Sequence, residues 1–255
     1  MGESPVFAEP LRVDDLAQCS FYHRMSLPGV GEVGEQWDLR EVIDDYLGRF
    51  DFNGKRALDV GTASGFLSFE MEKRGADVVS FDMDDGNQWD VVPQRTVRQD
   101  PETYFHNLRV AHQKLKNAYW FAHARTGSRA RVCYDNIYDL PAGLGRFDVA
   151  IMGMIVGHLR DPLHAIANVA RLCSSHLIIT NQAVRAKGPM ASLMPSHENQ
   201  QTRIWWSLSA ECLQQMLRIL GFDVERMVVS RPRCLVKGRE GHEECLSLVA
   251  RRVED

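Results

Sequence analysis

Paired cysteines, an excess of positive charge and long apolar runs are all missing from this 255-residue chain. Its six cysteines (Cys19, Cys133, Cys173, Cys212, Cys234, Cys245) are scattered, with no C-x-x-C pair and no histidine set beside them. That excludes a zinc site or a disulfide framework and predicts reduced, mostly buried thiols in a cytoplasmic protein. The formal net charge of −4 excludes coating of nucleic acid as the main task but leaves room for a local basic patch. The longest apolar run, Val149 to Val156, is too short to cross a bilayer, so no membrane association is expected. The opening MGESPVFAEP lacks the basic-then-apolar order of a secretory signal. Internal repeats and low-complexity tracts are absent too. What is present is ordinary for a globular protein: 44% hydrophobic and 25% charged residues, in a length that suits one large domain or one domain with a lid.

Short β-branched and apolar runs alternate with amphipathic stretches, the pattern of a parallel sheet covered by helices. Strands are predicted at Arg56–Val60, Asp77–Asp82, Arg131–Tyr134, Phe147–Met152, His176–Thr180, Asp223–Ser230 and Cys245–Arg251, and helices at Gly65–Arg74, Pro162–Leu172 and Ser209–Leu220. Ser209 can cap the last helix, Cys212, Leu213, Met216, Leu217 and Leu220 share its apolar face, and Gly221 ends it. The final two strands are joined by a short Lys-, Arg- and Gly-rich connection, which suits an antiparallel hairpin. The fold class expected is therefore α/β and Rossmann-like, a mostly parallel seven-stranded sheet closed by a C-terminal antiparallel hairpin. Two segments stand outside the alternation: residues 1–52, read as an N-terminal helical lid with a helix at Leu39–Arg49, and an insertion at about 84–128 within the domain of residues 53–255. Both are expected to cover the mouth of the sheet, where α/β enzymes bind ligands.

The stretch RALDVGTASGF carries the most information. A strand ends at Asp59-Val60, Gly61 allows a tight turn and close backbone approach, and Gly65 lets a helix pack near the strand. The second strand ends in Asp82, whose carboxylate can accept from both hydroxyls of a ribose. A dinucleotide would need G-x-G-x-x-G, and the middle glycine is replaced by Ala63. Asp59 favours S-adenosylmethionine (SAM), whose amino-acid end is positively charged, over a pyrophosphate. A glycine turn with no ligand is the plain alternative.

With FYHRMSLP near the start, then GKRALDVGTASGFLSFEMEKRGADVVSFDMDD, NIYDLP, IVGHLRDPLHAI and WWSLSAECLQQMLRILGF, the chain resembles class I SAM-dependent methyltransferases from about Phe21 onward. The group it resembles includes the tRNA wobble-uridine carboxymethyltransferase. The resemblance implies that Gly61, Ala63 and Gly65 line the methionine part of SAM and that Asp82 holds the ribose. It implies that Met83 packs on adenine while Asn136 and Ile137 meet the adenine edge. Met83 and Ile137 could equally be plain core residues. Two departures bear on chemistry. Gly157 stands where the tRNA enzyme has a tyrosine that helps recognise the carboxylate of carboxy-SAM, and Glu243-Glu244-Cys245 stands where it has an arginine. Acids beside a carboxylated cofactor repel it. Ordinary SAM, released as S-adenosylhomocysteine, is therefore expected.

The acceptor side is less explicit. The loop NQAVRAKGPMASLMPSHENQQTRIWW is longer than a connection needs and carries Met190, Met194, His197, Trp205 and Trp206, which would suit a flat or apolar small molecule. The bland reading is that the tryptophans only anchor the loop. His158, just beyond the fourth strand, and His23, in the Tyr22-His23 pair, are candidates to take the acceptor proton, although a lone histidine is more often structural. The leading expectation is a small-molecule O-methyltransferase. The rival is an RNA-modifying enzyme using Arg231, Arg233, Lys237 and Arg239 against phosphate, although these sit among Glu240, Glu243 and Glu244. A non-enzymatic SAM-binding scaffold is a third reading, and a homo-oligomer is left open.

Overall fold

A computed structural model of the chain describes residues 6–84, 90–92, 100–199, 202–236 and 238–253. The main sheet is built from β1 (Arg56–Val60), β2 (Asp77–Asp82), β3 (Arg131–Tyr134), β4 (Phe147–Gly153), β5 (Cys173–Gln182), β6 (Phe222–Ser230) and β7 (Cys245–Arg252). The helices among them are α1 (Phe66–Lys73), α2 (Pro101–Thr126), α3 (Pro162–Leu172) and α4 (Ala210–Ile219). The strands lie in the order β6-β7-β5-β4-β1-β2-β3. All neighbours are parallel except β7, which runs antiparallel to both β5 and β6.

The central strands are mainly apolar because both faces are covered, with Asp59, Ser80 and Thr180 as buried polar exceptions. Successive side chains alternate between two cores. Val149 and Ile151 join the residues of α1 and α2, while Ala150 and Met152 join those of α3 and α4. Two of the helices have a clear local reason to start. Asp161 caps α3 by accepting from the His164 N–H, with Pro162 at its first position, and Ser209 caps α4 by accepting from Cys212. Burial pushes the thiols of Cys133, Cys173 and Cys245 up to about 12, so they behave as small apolar groups.

Two expectations change. The helix expected over 39–49 is a single turn, Ile43–Tyr46, and the described part of the leading segment before it holds a 3-10 turn at Leu16–Gln18 and short strands at Met25–Leu27, Gly31–Val33 and Trp37–Asp38. The helix stops because Gly48 (φ 68°) and Arg49 (φ 52°) turn left-handed where the chain crosses β7. A Cβ at Gly48 would lie 2.4 Å from Val249. Leu39, Ile43, Tyr46, Leu47 and Phe52 of this segment belong to the same core as α1 and α2. The second change concerns residues 101–126. They stand outside the alternation in the sequence, yet α2 is the crossover that a parallel β2–β3 pair requires.

The strand order reverses between β1 and β4, so their C-terminal ends form the topological switch point, where ligands bind in open α/β sheets. Among the described residues no helix is long and apolar enough to cross a membrane, and no group of acidic, cysteine or histidine side chains is arranged to hold a metal.

Candidate active site

The turn after β1 is held open by backbone bonds. The N–H groups of Gly61 and Thr62 both donate to the Phe81 carbonyl, at 2.8 and 3.1 Å, which ties the turn to the end of β2. Gly61 (φ 80°), Ala63 (φ 52°) and Gly65 (φ 88°) are all left-handed. At Gly65 a side chain has no room, because a Cβ would lie 2.5 Å from the Phe69 ring and 2.9 Å from Tyr119. Ala63 adopts this conformation without being glycine, and its N–H donates to the Asp82 carboxylate at 2.8 Å. Met154, the first residue past β4, is the matching left-handed non-glycine on the other side of the switch point. Strained backbone of this kind persists where the surroundings over-determine it.

Two carboxylates flank the turn. Asp59 is fully buried; its Oδ2 accepts from Ser68 at 2.6 Å, and its Oδ1 has no hydrogen-bond partner. Burial raises its pKa to about 6, against the pull of the Ser68 and Thr62 hydroxyls. Asp82 accepts one backbone N–H on each oxygen, from Ala63 and from Met83, both at 2.8 Å, which leaves a second lone pair on each. The Asp135 N–H donates to the Asp82 carbonyl at 3.0 Å, bringing the loop after β3 alongside. In that loop Asn136 Oδ1 accepts from the Tyr138 N–H at 2.9 Å, and Ile137 packs partly buried against the α3/α4 core.

Above this edge the chain from 202 to 208 crosses the loop after β4. The Trp205 N–H donates to the Gly157 carbonyl at 2.9 Å, and a Cβ at Gly157 would stand 2.8 Å from the Trp206 carbonyl. The space beside Gly157 is therefore filled by that backbone. His158 is exposed, and its Nδ1 lies 2.8 Å from the Arg203 carbonyl. A carbonyl only accepts, so Nδ1 carries the proton and the lone pair is on Nε2. Loss of water to the covering chain lowers the His158 pKa, partly opposed by the Arg203 carbonyl. Asp90 ties these pieces together. Its carboxylate takes the Tyr138 hydroxyl and the Arg160 N–H, and its carbonyl takes the Trp205 indole at 2.6 Å.

The leading segment reaches the same edge. The Tyr22 N–H donates to the Ser64 hydroxyl at 3.2 Å, and the His23 ring lies 5.6 Å from that of Phe66, at the start of α1. His23 is buried with Nδ1 unpartnered, and burial lowers its pKa to about 3. The Tyr22 hydroxyl is pushed up by burial, against a hydrogen bond with Trp37 and the nearby charge of Arg203. Tyr22, His23, His158 and the 61–65 turn therefore come to one edge.

A model of the methyltransferase domain family matches residues 35–226, about three quarters of the chain. The chain belongs to this methyltransferase family. No curated protein matches it in sequence. Among solved structures it is similar to magnesium protoporphyrin IX methyltransferase from Synechocystis PCC 6803, which holds S-adenosylhomocysteine, at 15% identity over 84% of this chain and 82% of that one, with a TM-score of 0.52. A SAM-dependent methyltransferase from Methanosarcina mazei aligns at 17% identity, 86% and 100% coverage and a TM-score of 0.51. A candidate RNA methyltransferase from Pyrococcus horikoshii aligns at 12%, 83% and 80% coverage and 0.52. At these identities the likeness is one of fold.

Elsewhere in the methyltransferase, Met190 and Met194 are exposed, at the two ends of a small hairpin in which Ala191–Leu193 pairs with Trp206–Leu208. His197 is exposed beyond it. Both tryptophan indoles are engaged by carbonyls, Trp205 with Asp90 and Trp206 with Arg160 at 3.0 Å, which is the anchoring role. In the basic cluster Arg231 pairs with Glu244 at 2.7 Å and Arg233 with Glu240 at 3.5 Å, while Lys237 lies outside the described residues. The sequence reading missed Asp90, Tyr138, Arg203 and Tyr46, whose hydroxyl would lie 3.4 Å from a Cβ at Gly153. Their partners are distant in sequence, so no local pattern marks them.

Proposed function

We propose that this methyltransferase binds SAM at the 61–65 turn and methylates an oxygen of a small molecule. The observation that carries the cofactor reading is Asp59: a buried carboxylate with one oxygen unpartnered beside a left-handed glycine turn suits a cationic ligand and repels a pyrophosphate. When bound, SAM supplies a methyl carbon on a positively charged sulfur, which keeps the C–S electron pair as the acceptor oxygen bonds to carbon. Gly61, Ala63 and Gly65 let the backbone approach the methionine part, and Asp82 has the lone pairs for two ribose hydroxyls. Met83, Asn136 and Ile137 surround the adenine.

The chain's remaining tasks are alignment and removal of the acceptor proton. His158 suits the second, since its tautomer leaves Nε2 free to accept. Tyr22 and His23 bound the acceptor from the leading segment, and Met190, Met194, His197, Trp205 and Trp206 form or support its outer wall. The pairing of Arg231 and Arg233 with glutamates supports a small acceptor over RNA.

Calorimetry with SAM, S-adenosylhomocysteine, carboxy-SAM and NADH tests this. One SAM site per chain is expected, with no advantage for carboxy-SAM, because the Trp206 backbone fills the space a tyrosine at 157 would need. Binding of NADH in place of SAM would overturn the cofactor reading. A clear preference for carboxy-SAM would restore the carboxymethyl reading.

A further inference from the structure

Behind the cofactor turn runs a chain of buried hydroxyls that no catalytic step above uses. Ser68 on α1 touches Asp59 at 2.6 Å, Ser80 on β2 at 2.7 Å and Thr62 at 2.9 Å, and Ser80 touches the hydroxyl of Tyr119 on α2 at 2.8 Å. All five residues are buried, Asp59, Ser68, Ser80 and Tyr119 completely.

The direction of these bonds follows from counting hydrogens. An ionised carboxylate only accepts, so Ser68 gives its single hydrogen to Asp59. Ser68 must then accept from Ser80, while the Thr62 hydroxyl beside it has its hydrogen to give to Ser68 or to Asp59 itself. Ser80, having given its hydrogen to Ser68, must accept from Tyr119. Every hydroxyl hydrogen in the chain points toward Asp59, and such aligned bonds polarise one another in a dry interior. Protonating Asp59 removes this reason for alignment, and the chain can then run the other way. Oδ2 is committed to Ser68, while Oδ1 is buried without a partner, so its charge is the less compensated of the two.

We infer that Ser68, Ser80 and Tyr119 are positioning residues, which orient Asp59 and hold it charged behind the turn so that its carboxylate attracts the ammonium of the cofactor's amino-acid end. The inference rests on the SAM reading of the 61–65 turn. It makes α2, through Tyr119, the far anchor of a cofactor contact on β1. The titratable groups that act on Asp59 are Asp82 from the end of β2, Tyr46 from the leading segment and Tyr119 itself. Asp82 is a like charge and the two phenols are neutral at working pH, so the Ser68 and Thr62 hydroxyls, with a smaller part from the Ser68 backbone N–H, are what oppose burial.

The test is the affinity for S-adenosylhomocysteine, measured by calorimetry on the full chain from pH 5 to 7.5, where the ligand's amino group stays largely charged. In the unmodified protein affinity should rise with pH through a midpoint near 6 and then level off. Tyr119→Phe removes the terminal donor and should move that midpoint upward, weakening binding several-fold at pH 6 and much less at pH 7.5. Ser68→Ala should move it further, and Ser80→Thr, which keeps a hydroxyl, should leave it in place. A lower melting temperature in Tyr119→Phe and Ser68→Ala with an unmoved midpoint would make the chain ordinary core packing and overturn the inference. A pH-independent affinity in the unmodified protein would overturn it too, leaving the SAM reading intact. Absence of binding at every pH would instead remove the SAM reading and this inference with it.

Discussion

Two histidines at one edge are prepared for opposite work by their surroundings. His158 is exposed, with Nδ1–H fixed on the Arg203 carbonyl, and in the proposed reaction its neutral form serves as the base. Its lowered pKa means the rate should rise with pH across a titration below the ordinary histidine value and be flat above neutrality. His158→Ala should reduce turnover by roughly 10²- to 10⁴-fold with SAM affinity unchanged. Near-normal turnover in a well-folded variant would assign the histidine to structure. His23, by contrast, is buried neutral with a pKa of about 3, against 6.5 when unfolded. Its depressed folded value contributes stability above pH 6.5 that is lost as pH falls toward 3. Asp59 acts in the opposite sense, since its raised value favours the fold below its unfolded 3.8 and that contribution is lost as pH rises through about 6. Thermal melts between pH 7.5 and 4.5 should therefore show a shallower acid loss in His23→Gln than in the unmodified protein. Equal slopes would mean that His23 finds a partner when protonated. Asp82→Ala should weaken SAM by on the order of 1.5–3 kcal/mol for each charge-assisted bond lost, read directly by titration.

The cap of α4 does more than start a helix. Ser209 Oγ accepts from Cys212 at 3.2 Å and from Met190 at 2.9 Å, and it donates to the Gly188 carbonyl at 3.0 Å. Ser209→Ala should cost about 1–2 kcal/mol of stability and speed hydrogen exchange at residues 188–193. A drop in melting temperature without faster exchange there would mean that the hairpin holds the loop by itself. Elements of this kind were legible in the sequence because their signals are local. Buried parallel strands such as Arg56–Val60 are short apolar runs, and Asp161-Pro162 and Ser209 mark helix starts. The helix over 39–49 was misread because its apolar period continues past Gly48, where the approach of Val249 forces the chain to turn. Residues 101–126 read as an insertion because the chain between β2 and α2 is far longer than a usual crossover connection. Of the site, the 61–65 turn and its two acids were legible. Asp90 and the Ser68–Ser80–Tyr119 chain were not, because each joins residues brought together only by the sheet.

At the scale of the whole molecule the net charge is −4, and Arg231 and Arg233 of the basic cluster are paired with glutamates. RNA binding should be weak, independent of sequence and lost at moderate salt, since few contacts release few counterions. Filter binding of tRNA that survives physiological salt would reverse this. The antiparallel β7 has a consequence for how the protein is made. β6 is synthesised before β7 yet pairs in the sheet only with it, and the edge of β5 that β7 covers runs through Leu177–Thr180, which are completely buried. Until residues 245–252 emerge, β5 offers a sticky, unpaired border and β6 has nowhere to dock, so the sheet cannot seal from its N-terminal half alone. A chain stopped before Cys245 should accumulate as aggregate although its entire nucleotide-facing half has been translated. Adding residues 245–255 back as a separate peptide during refolding should rescue solubility if this border is the cause.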